Sequence, residues 1–399
     1  MRSHSQAVWT SARAMCGKTK TEPDDIERQK GKFPLSRVGR LVACWLVMLA
    51  LAGLTGSLLP AARAWGKAKP ASPVILAWDH VRVEPPNLEA DPPHRAVNVL
   101  SPTWFVLSAS DGSVGSKADP AYVTSAKKRG IRVEPLFANG FDPDRTRAFL
   151  ADSAARARSV LALAGFCRSL GLDGINIDFE NVYDDDRDRL TSYVAELAKA
   201  LRSLGLRTSI DVTVVSDKPN WSACYDREAL GRIVDAVVLM AYDENWRGGP
   251  VSGPVASIGW VERAVSELAR LVPPGKIWLG VPLYTREWEE TPVDGQWKKT
   301  GALALSMADA ETRLARNGAS VAWDPSLGLR YGEYLKDGKR YRIWLEDERS
   351  LALKAGLVTR YGLGGVAAWR RGFEKPAAWK VLEELGKARK PAGAVQPAQ

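Results

Sequence analysis

Residues 171–180 of this chain of 399 residues read GLDGINIDFE, a β-strand pattern that brings acidic groups to one place. In an extended strand successive side chains point to opposite faces, so Asn176, Asp178 and Glu180 share one face and apolar residues share the other. A parallel strand that is covered on both faces should be almost entirely apolar. Carboxylates on its inner face therefore indicate chemistry, or else strong pairing with a base.

The two carboxylates at the end of this strand, Asp178 and Glu180, stand two residues apart. At about 3.3 Å per residue their backbones are roughly 7 Å apart, which lets the side chains hydrogen-bond. Because two like charges this close cannot both ionise cheaply, one carboxyl should keep its proton towards neutral pH. General acid catalysis needs that arrangement. The alternative is a buried carboxyl pair, tied to a neighbouring Arg or Lys, that only supports the structure.

Apolar, β-branched runs alternate with helical patterns along most of the chain, and the helical patterns are clearest at 145–170, 186–204 and 259–271. This alternation predicts an α/β protein with a (β/α)8 TIM barrel, whose active site lies at the carboxyl ends of the strands. Glu180 is at such an end. The eight predicted strands are 74–78, 97–101, 131–137, 174–180, 207–215, 235–242, 277–283 and 364–369.

A small α+β insertion is predicted at about 290–350, because the gap between the seventh and eighth strands is much longer than the others. Strand-like runs at 321–323, 329–334 and 340–345, with Asp337-Gly338 as a turn, indicate an antiparallel sheet there. Such an insertion would form one wall of a cleft. The barrel is expected to span 74–385, and the composition of 386–399 is typical of a disordered tail.

The amino-terminal region reads as a targeting segment behind a basic polar leader at 1–40. The uncharged run 41–59 and the small residues Ala62-Arg63-Ala64 predict an export signal over 41–64, followed by a linker at 65–73. An uncleaved membrane anchor through 41–59 is the alternative. Either reading places the protein outside the cytoplasm, secreted or membrane-anchored.

The formal net charge of +10 belongs mainly to the two ends of the chain. Residues 1–70 carry 12 Lys and Arg against 4 acids, and three cations lie in the tail, so 71–386 is near −1. This excludes a basic groove for nucleic acid. Three scattered histidines offer no metal-ligand spacing, and neither a metal nor a cofactor is expected. Past the signal only Cys167 and Cys224 remain, which permits one disulfide and requires none.

Over about residues 71–385 the chain resembles glycoside hydrolase family 18, the chitinase and N-acetylglucosaminidase family. The sixth strand ends in Met240-Ala241-Tyr242-Asp243, the eighth ends in Trp369, and the insertion stands where the family has one. Within the family, the chain most resembles the bacterial cell-wall and spore-cortex N-acetylglucosaminidases, whose motif on the fourth strand also reads DGINIDFENVY. The family signature Asp-x-x-Asp-x-Asp-x-Glu appears here as Asp173, Asn176, Asp178 and Glu180.

The resemblance implies retaining hydrolysis assisted by the 2-acetamido group of the substrate, without an enzyme nucleophile. Glu180 would protonate the glycosidic oxygen and later activate water. Asp178 would orient the acetamido N–H and stabilise the cationic intermediate, and Tyr242 would hydrogen-bond the acetamido carbonyl. Trp369 would form the hydrophobic floor under the sugar.

Further candidates for substrate binding carry weaker signals. Asp173 is expected to be structural, and Trp221 to line a subsite or sit on a loop. Asn176 departs from the family pattern, which has Asp, and the missing carboxyl predicts a lower pKa for Asp178 and a shorter proton relay. The candidate substrate-binding residues besides Trp369 are Asn176, Asp243, Asn139, Trp104 and Trp246.

The expected partner is a polysaccharide that contains N-acetylglucosamine. The subgroup resemblance favours peptidoglycan at the bacterial cell envelope, and chitin is the alternative. A carbohydrate-binding barrel without activity and an envelope scaffold remain as rivals, although the presence of Glu180 argues against the first. The mode of cleavage, from ends or internally, and the oligomeric state stay open.

Overall fold

The computed structural model describes residues 72–83 and 85–388. No helix within this part is long and apolar enough to cross a membrane. The predicted leader, export segment or anchor, most of the linker, and the end of the tail lie outside the described residues, at 1–40, 41–64, 65–71 and 389–399.

The predicted parallel barrel is confirmed. Its strands pair side by side in the order β6-β7-β8-β9-β10-β16-β1-β2-β5, so that the last strand, β16, pairs with the first, with Val74 opposite Gly365. The third position is shared by two short strands. The strands are β1 Val74–Asp79, β2 Val99–Pro102, β5 Arg132–Val133 with β6 Leu136–Ala138, β7 Gly174–Asp178, β8 Arg207–Thr213, β9 Ala236–Met240, β10 Ile277–Pro282 and β16 Gly365–Trp369.

The third strand is interrupted at Glu134-Pro135, where the sequence pattern predicts one continuous run. Proline has no N–H to give to the ladder, so the pairing changes partners at this point. The first half, β5, pairs with β2, and the second half, β6, pairs with β7 and with a hairpin at the barrel rim. That hairpin consists of β3 Phe105–Leu107 and β4 Val114–Ser116.

Helices cover the outside of the barrel. The predicted helix over 145–170 is two helices, because Asp152 ends the first and its side chain caps the second by accepting from Ala154 N–H. The second ends at Gly171, whose φ of 66° lies in the left-handed region. The helices are α1 Pro120–Lys128, α2 Pro143–Ala151, α3 Ser153–Leu170, α4 Arg187–Ser203, α5 Arg227–Ile233, α6 Ile258–Leu268, α7 Met307–Arg316, α8 Glu348–Tyr361 and α9 Pro376–Ala388.

The apolar face of β7 packs outward against α2 and α4. The rings of Phe137 and Phe149 lie 5.2 and 6.3 Å from the ring of Phe179, which also stacks on Tyr193 at 5.8 Å. Full burial of each such ring contributes about 1.5–3 kcal/mol. The strand register is therefore fixed, and the other face of β7 points into the barrel. Cys167 and Cys224 are buried free thiols.

The insertion follows β10 directly and forms a five-stranded antiparallel sheet with α7. The hairpin at Asp337-Gly338 is where the turn pattern predicts it, between β14 and β15. A longer hairpin, β11 with β12, precedes it and was not predicted; it turns at Asp294-Gly295, where both φ values are positive as a two-residue type I′ turn requires. The strands are β11 Tyr284–Val293, β12 Gln296–Ser306, β13 Val321–Asp324, β14 Leu329–Lys336 and β15 Lys339–Leu345.

Candidate active site

The acidic residues Asp178 and Glu180 lie at the carboxyl end of β7, and both are partly buried. Asn139 holds the backbone of Glu180 at two points: it accepts from the N–H at 3.1 Å and donates to the carbonyl at 2.8 Å. The hydroxyl of Tyr225 donates to the carbonyl of Phe179 at 2.8 Å. These contacts from two neighbouring loops fix where the Glu180 carboxyl enters the cleft.

Asn176 lies one layer deeper and is completely buried. Its carboxamide oxygen accepts from the indole N–H of Trp78 at 2.8 Å, and its nitrogen donates to Asp211 at 2.7 Å and to Ser209 at 3.1 Å. An indole N–H can only donate, so the oxygen of the amide must face Trp78 and the nitrogen must face Asp211. Asn176 is thus locked as a donor to Asp211.

Asp211 is a carboxyl that the sequence analysis missed. It is buried on β8, and the parallel register that sets Ile177 opposite Ile210 places Asp178 and Asp211 as the next neighbours. Adjacent strands lie about 4.8 Å apart. The signal that could have found it was present, because Asp211 is a single acid in the apolar run SIDVTVV, as Asp178 is in its own strand.

Protons must be shared within this group of three carboxyls. Burial raises the pKa of Asp178 to about 7. Burial also raises the pKa of Glu180 well above its usual range, and repulsion by Asp178, Asp211 and Asp243 adds to the effect. The pKa of Asp211 is raised by burial and then by Asp178. None of the three forms an ion pair with another described residue, so protonation is what relieves their repulsion.

The expectation that Asn176 gives Asp178 a lower pKa than an Asp at position 176 would give stays a prediction. The substitution does remove a carboxyl from β7, but Asp211 supplies one from the adjacent strand. Burial dominates the electrostatics of Asp178, whose Oδ1 is buried and has no hydrogen-bond partner in the described part of the chain. Its pKa is therefore raised above the ordinary value of an aspartate.

Tyr242 follows β9 and is partly buried, with a hydroxyl that bonds to no other described residue. Burial, and then Asp211, raise the pKa of this phenol, so it remains a hydrogen-bond donor. The next residue, Asp243, has a positive φ of 60° and joins the barrel to the insertion: it accepts from Arg286 at 2.6 Å and from the hydroxyl of Tyr284. Asp243 is thereby largely engaged by protein.

Aromatic rings surround the mouth. Trp369 ends β16, is partly exposed, and meets the ring of Trp78 edge-on at 5.8 Å. Trp246, on the loop after β9, is 52% exposed. Trp221 is 41% exposed, and its ring lies 6.2 Å from that of Phe141 on the loop beside Glu180. Rings exposed in this way offer flat apolar faces to a ligand.

The sequence-based expectation of direct substrate contact needs correction at three positions. These are the buried residues Trp104, Asn139 and Asn176. Trp104 is 1% exposed and packs edge-on against Tyr122 at 5.1 Å, as a core residue. The amides of Asn139 and Asn176 are buried and bonded to protein, so both act as positioning residues. Asp173 pairs with Lys127 at 2.7 Å, away from the mouth.

No group of three or more His, Cys, Asp or Glu with metal-binding geometry occurs among residues 72–83 and 85–388. What the site offers is an acid of raised pKa, a second carboxyl with an unsatisfied buried oxygen, a free phenol and an aromatic floor. Together these groups can donate a proton and bind a polar group next to it.

Comparison with known proteins gives concordant results. The model of the glycosyl hydrolases family 18 matches residues 121–374. Among curated proteins, the cortical fragment-lytic enzyme of Bacillus anthracis is 27% identical over 290 residues, 70% of this chain and 66% of that protein. The putative sporulation-specific glycosylase YdhD of Bacillus subtilis is 30% identical over 270 residues, 66% of this chain and 63% of that protein. The chain thus spans about two thirds of the length of these relatives.

Solved structures agree on the architecture. The chitinase from Chromobacterium violaceum superposes with a TM-score of 0.70 at 28% identity, over 79% of this chain and 99% of that one. The spore cortex-lytic enzyme SleL of Bacillus cereus gives a TM-score of 0.71 at 24% identity, over 78% of this chain and 74% of that one. The second likeness shows the fold alone.

Proposed function

Because the chain belongs to the glycosyl hydrolases family 18, we propose that it hydrolyses β-linked polysaccharide that contains N-acetylglucosamine, with peptidoglycan as the substrate. The observation that carries the proposal is the set of three carboxyls that share protons, Asp178, Glu180 and Asp211, with Glu180 at the mouth. The names of the curated relatives, cortical fragment-lytic enzymes among them, favour a bacterial wall glycan.

In the first step Glu180 donates its proton to the glycosidic oxygen as the bond to the anomeric carbon breaks. Its raised pKa keeps this proton in place near neutral pH. The acetamido oxygen of the same sugar attacks the anomeric carbon, and a cyclic cation forms. In the second step water attacks that carbon and gives a proton to Glu180, which restores the acid. The product keeps the configuration that the anomeric carbon had in the substrate.

Two further side chains align the acetamido group. The unsatisfied Oδ1 of Asp178 would accept its N–H, and the developing positive charge would stabilise Asp178 in its ionised form. The free hydroxyl of Tyr242 would donate to its carbonyl oxygen. Trp369 would lie under the apolar face of the sugar, while Trp246 and Trp221 would contact sugars further out.

Chitin oligosaccharides are the alternative substrate, favoured by the likeness to the Chromobacterium violaceum chitinase. The two glycans share the acetamido arm on which the mechanism depends. We also propose that the protein acts outside the cytoplasm at the bacterial envelope, on the strength of the apolar segment 41–59 and the small residues that follow it.

The test is product release from purified peptidoglycan and from chitin oligosaccharides, measured in parallel for the whole chain and for Glu180→Gln. Glu333→Gln, an exposed residue of the insertion, is the matched control. New reducing ends from peptidoglycan that the Glu180→Gln variant does not produce would support the proposal. Release from chitin alone would assign the alternative, and binding without release by the unaltered chain would indicate a lectin.

A further inference from the structure

Three cationic side chains act electrostatically on His80, whose ring lies 6.1 Å from that of Trp369. Arg82 lies three residues after β1, Lys117 directly follows β4, and Arg370 directly follows Trp369. The Lys117 ammonium donates to the carbonyls of Arg82 at 2.7 Å and Val81 at 3.3 Å, which joins the two loops. The guanidinium of Arg370 is held over a neighbouring phenyl ring at 3.9 Å. Contacts thus hold the side chains of Lys117 and Arg370, and the three residues together are here called the cationic cluster.

Two carboxylates, Asp79 and Glu374, act electrostatically on Arg370 without forming an ion pair with the cationic cluster. None of its three members forms an ion pair with any residue that the structure describes. The nearest carboxylates are used elsewhere: Asp79 accepts from Arg371 at 2.7 Å and from the Tyr122 hydroxyl at 2.6 Å. Glu374 accepts from the indole N–H of Trp379 at 2.9 Å and from a backbone N–H. The barrel as a whole is near neutral, so this positive charge is a local feature.

The field of the cluster reaches the aromatic floor. The imidazole of His80 lies 6.1 Å from the ring of Trp369. Burial, and then Arg370, Arg82 and Lys117, lower the pKa of His80 to about 4, so the imidazole is uncharged at neutral pH. A sugar next to Trp369 would therefore lie near three cations and an uncharged imidazole. The three cations would attract an anionic group on that sugar.

We infer that Arg82, Lys117 and Arg370 form a carboxylate-binding subsite next to Trp369. Its ligand is a glycan in which a sugar adjacent to the N-acetylglucosamine carries an acidic side group. The inference rests on the proposed function and deepens it, because chitin has no carboxylate whereas the muramic acid of peptidoglycan bears a lactyl carboxyl or a peptide ending in carboxylates. Arginine and lysine are the usual donors to such groups.

The test uses Arg82→Gln combined with Lys117→Gln, since both side chains are exposed and away from the carboxyls of β7. The control, Lys128→Gln with Arg168→Gln, removes the same charge from exposed positions on α1 and α3. The substrates are peptide-free peptidoglycan strands with free muramic carboxyls, the same strands after amidation of those carboxyls, and chitohexaose.

We expect the double variant to lose at least about tenfold in kcat/KM on the free-carboxyl strands, mostly through KM, and the unaltered protein to lose a similar factor when the strands are amidated. The control should match the unaltered protein. Equal losses on all three substrates, or no loss on the free-carboxyl strands, would overturn the inference.

A binding measurement separates this inference from the proposed function. If no glycan is hydrolysed, calorimetric titration of the whole protein with free-carboxyl and amidated strands still reports on the subsite. Tighter binding of the free-carboxyl strands, lost in the double variant, supports it. Equal dissociation constants, or binding of neither strand, contradict it.

Discussion

For single residues, the chemistry of the cleft depends on one buried and two partly buried carboxyls, none of which is paired with a described cation. Asn176 can only donate to Asp211, because its oxygen is taken by an indole N–H. Asp211 in turn is the strand neighbour of Asp178. The charges of Asp178 and Asp211 raise each other's cost of ionisation, and the charge of Asp211 also raises the pKa of Glu180, so Asp211 influences the protonation of the residues at the mouth.

The variant Asp211→Asn should move the alkaline limb of the pH profile of kcat/KM to lower pH by about one unit. Removal of a negative neighbour lowers the pKa of Glu180, and the acid then loses its proton at lower pH. The profile is measured on a soluble glycan from pH 4 to 9, with Asp188→Asn on the exposed start of α4 as control. An unchanged alkaline limb would remove Asp211 from the account.

The variant Asn139→Ala should lower kcat by about 10- to 100-fold and change KM much less. Asn139 bonds both backbone groups of Glu180 but is buried and cannot touch the sugar. Steady-state kinetics on the same glycan test this, with Asn317→Ala at the end of α7 as control. A rise in KM with unchanged kcat would mean that Asn139 binds substrate instead.

The residues that the sequence did and did not reveal differ in a physical way. Asp178 and Glu180 stood out because an acid is unexpected on a buried strand. Trp104 was misjudged because a tryptophan at a strand end serves equally as core or as cleft wall, and only the packing of Tyr122 decides. Asp211 carried the same signal as Asp178 without the neighbouring motif.

Among the secondary-structure elements, the barrel strands could be predicted from their apolar runs, whereas the hairpin of β11 and β12 could not. Its strands carry many charged and polar residues, since they lie in an insertion with a large solvated surface. The local signal was the turn Asp294-Gly295, which has the same chemistry as the predicted turn Asp337-Gly338. The strand break at Pro135 was likewise readable from the missing N–H.

The junction of the insertion with α8 depends on a fully buried ion pair. The Lys354 ammonium lies 2.8 and 3.0 Å from the two carboxylate oxygens of Glu346, which also accepts from Ser350. Lys354→Met should lower the free energy of unfolding by about 3–5 kcal/mol, because it leaves a buried charge without its partner.

Urea denaturation at pH 7 measures this loss. The double variant Glu346→Leu with Lys354→Met removes both charges and should recover most of it. If the single variant stays within about 1 kcal/mol of the unaltered protein, the pair does not hold the junction.

At the scale of the whole molecule, buried carboxyls lie at both ends of the barrel. Glu134 is completely buried near the amino-terminal end, 3.6 Å from both Arg132 and Arg207, and burial raises its pKa to about 7. At Glu134 the folded protein therefore holds a proton that the unfolded chain releases between about pH 4.5 and 7. The contribution of Glu134 to the free energy of unfolding should fall as the pH rises through this range.

The variant Glu134→Gln should remove about 2 kcal/mol of this fall between pH 5 and pH 8. Denaturation in urea at both pH values gives the difference, and Glu228→Gln on the exposed side of α5 is the control. A fall as steep as that of the unaltered protein would show that Glu134 does not titrate in this range.

In the proposed reaction the acetamido group of the substrate assists hydrolysis, and Glu180 is the acid. The most direct measurement compares the hydrolysis rate of one glycan before and after removal of its N-acetyl groups. We predict cleavage of the acetylated glycan with the β-anomer as the first product, and at least about a thousandfold slower cleavage of the deacetylated one. Similar rates on both glycans, or an α-anomer formed first, would contradict the account.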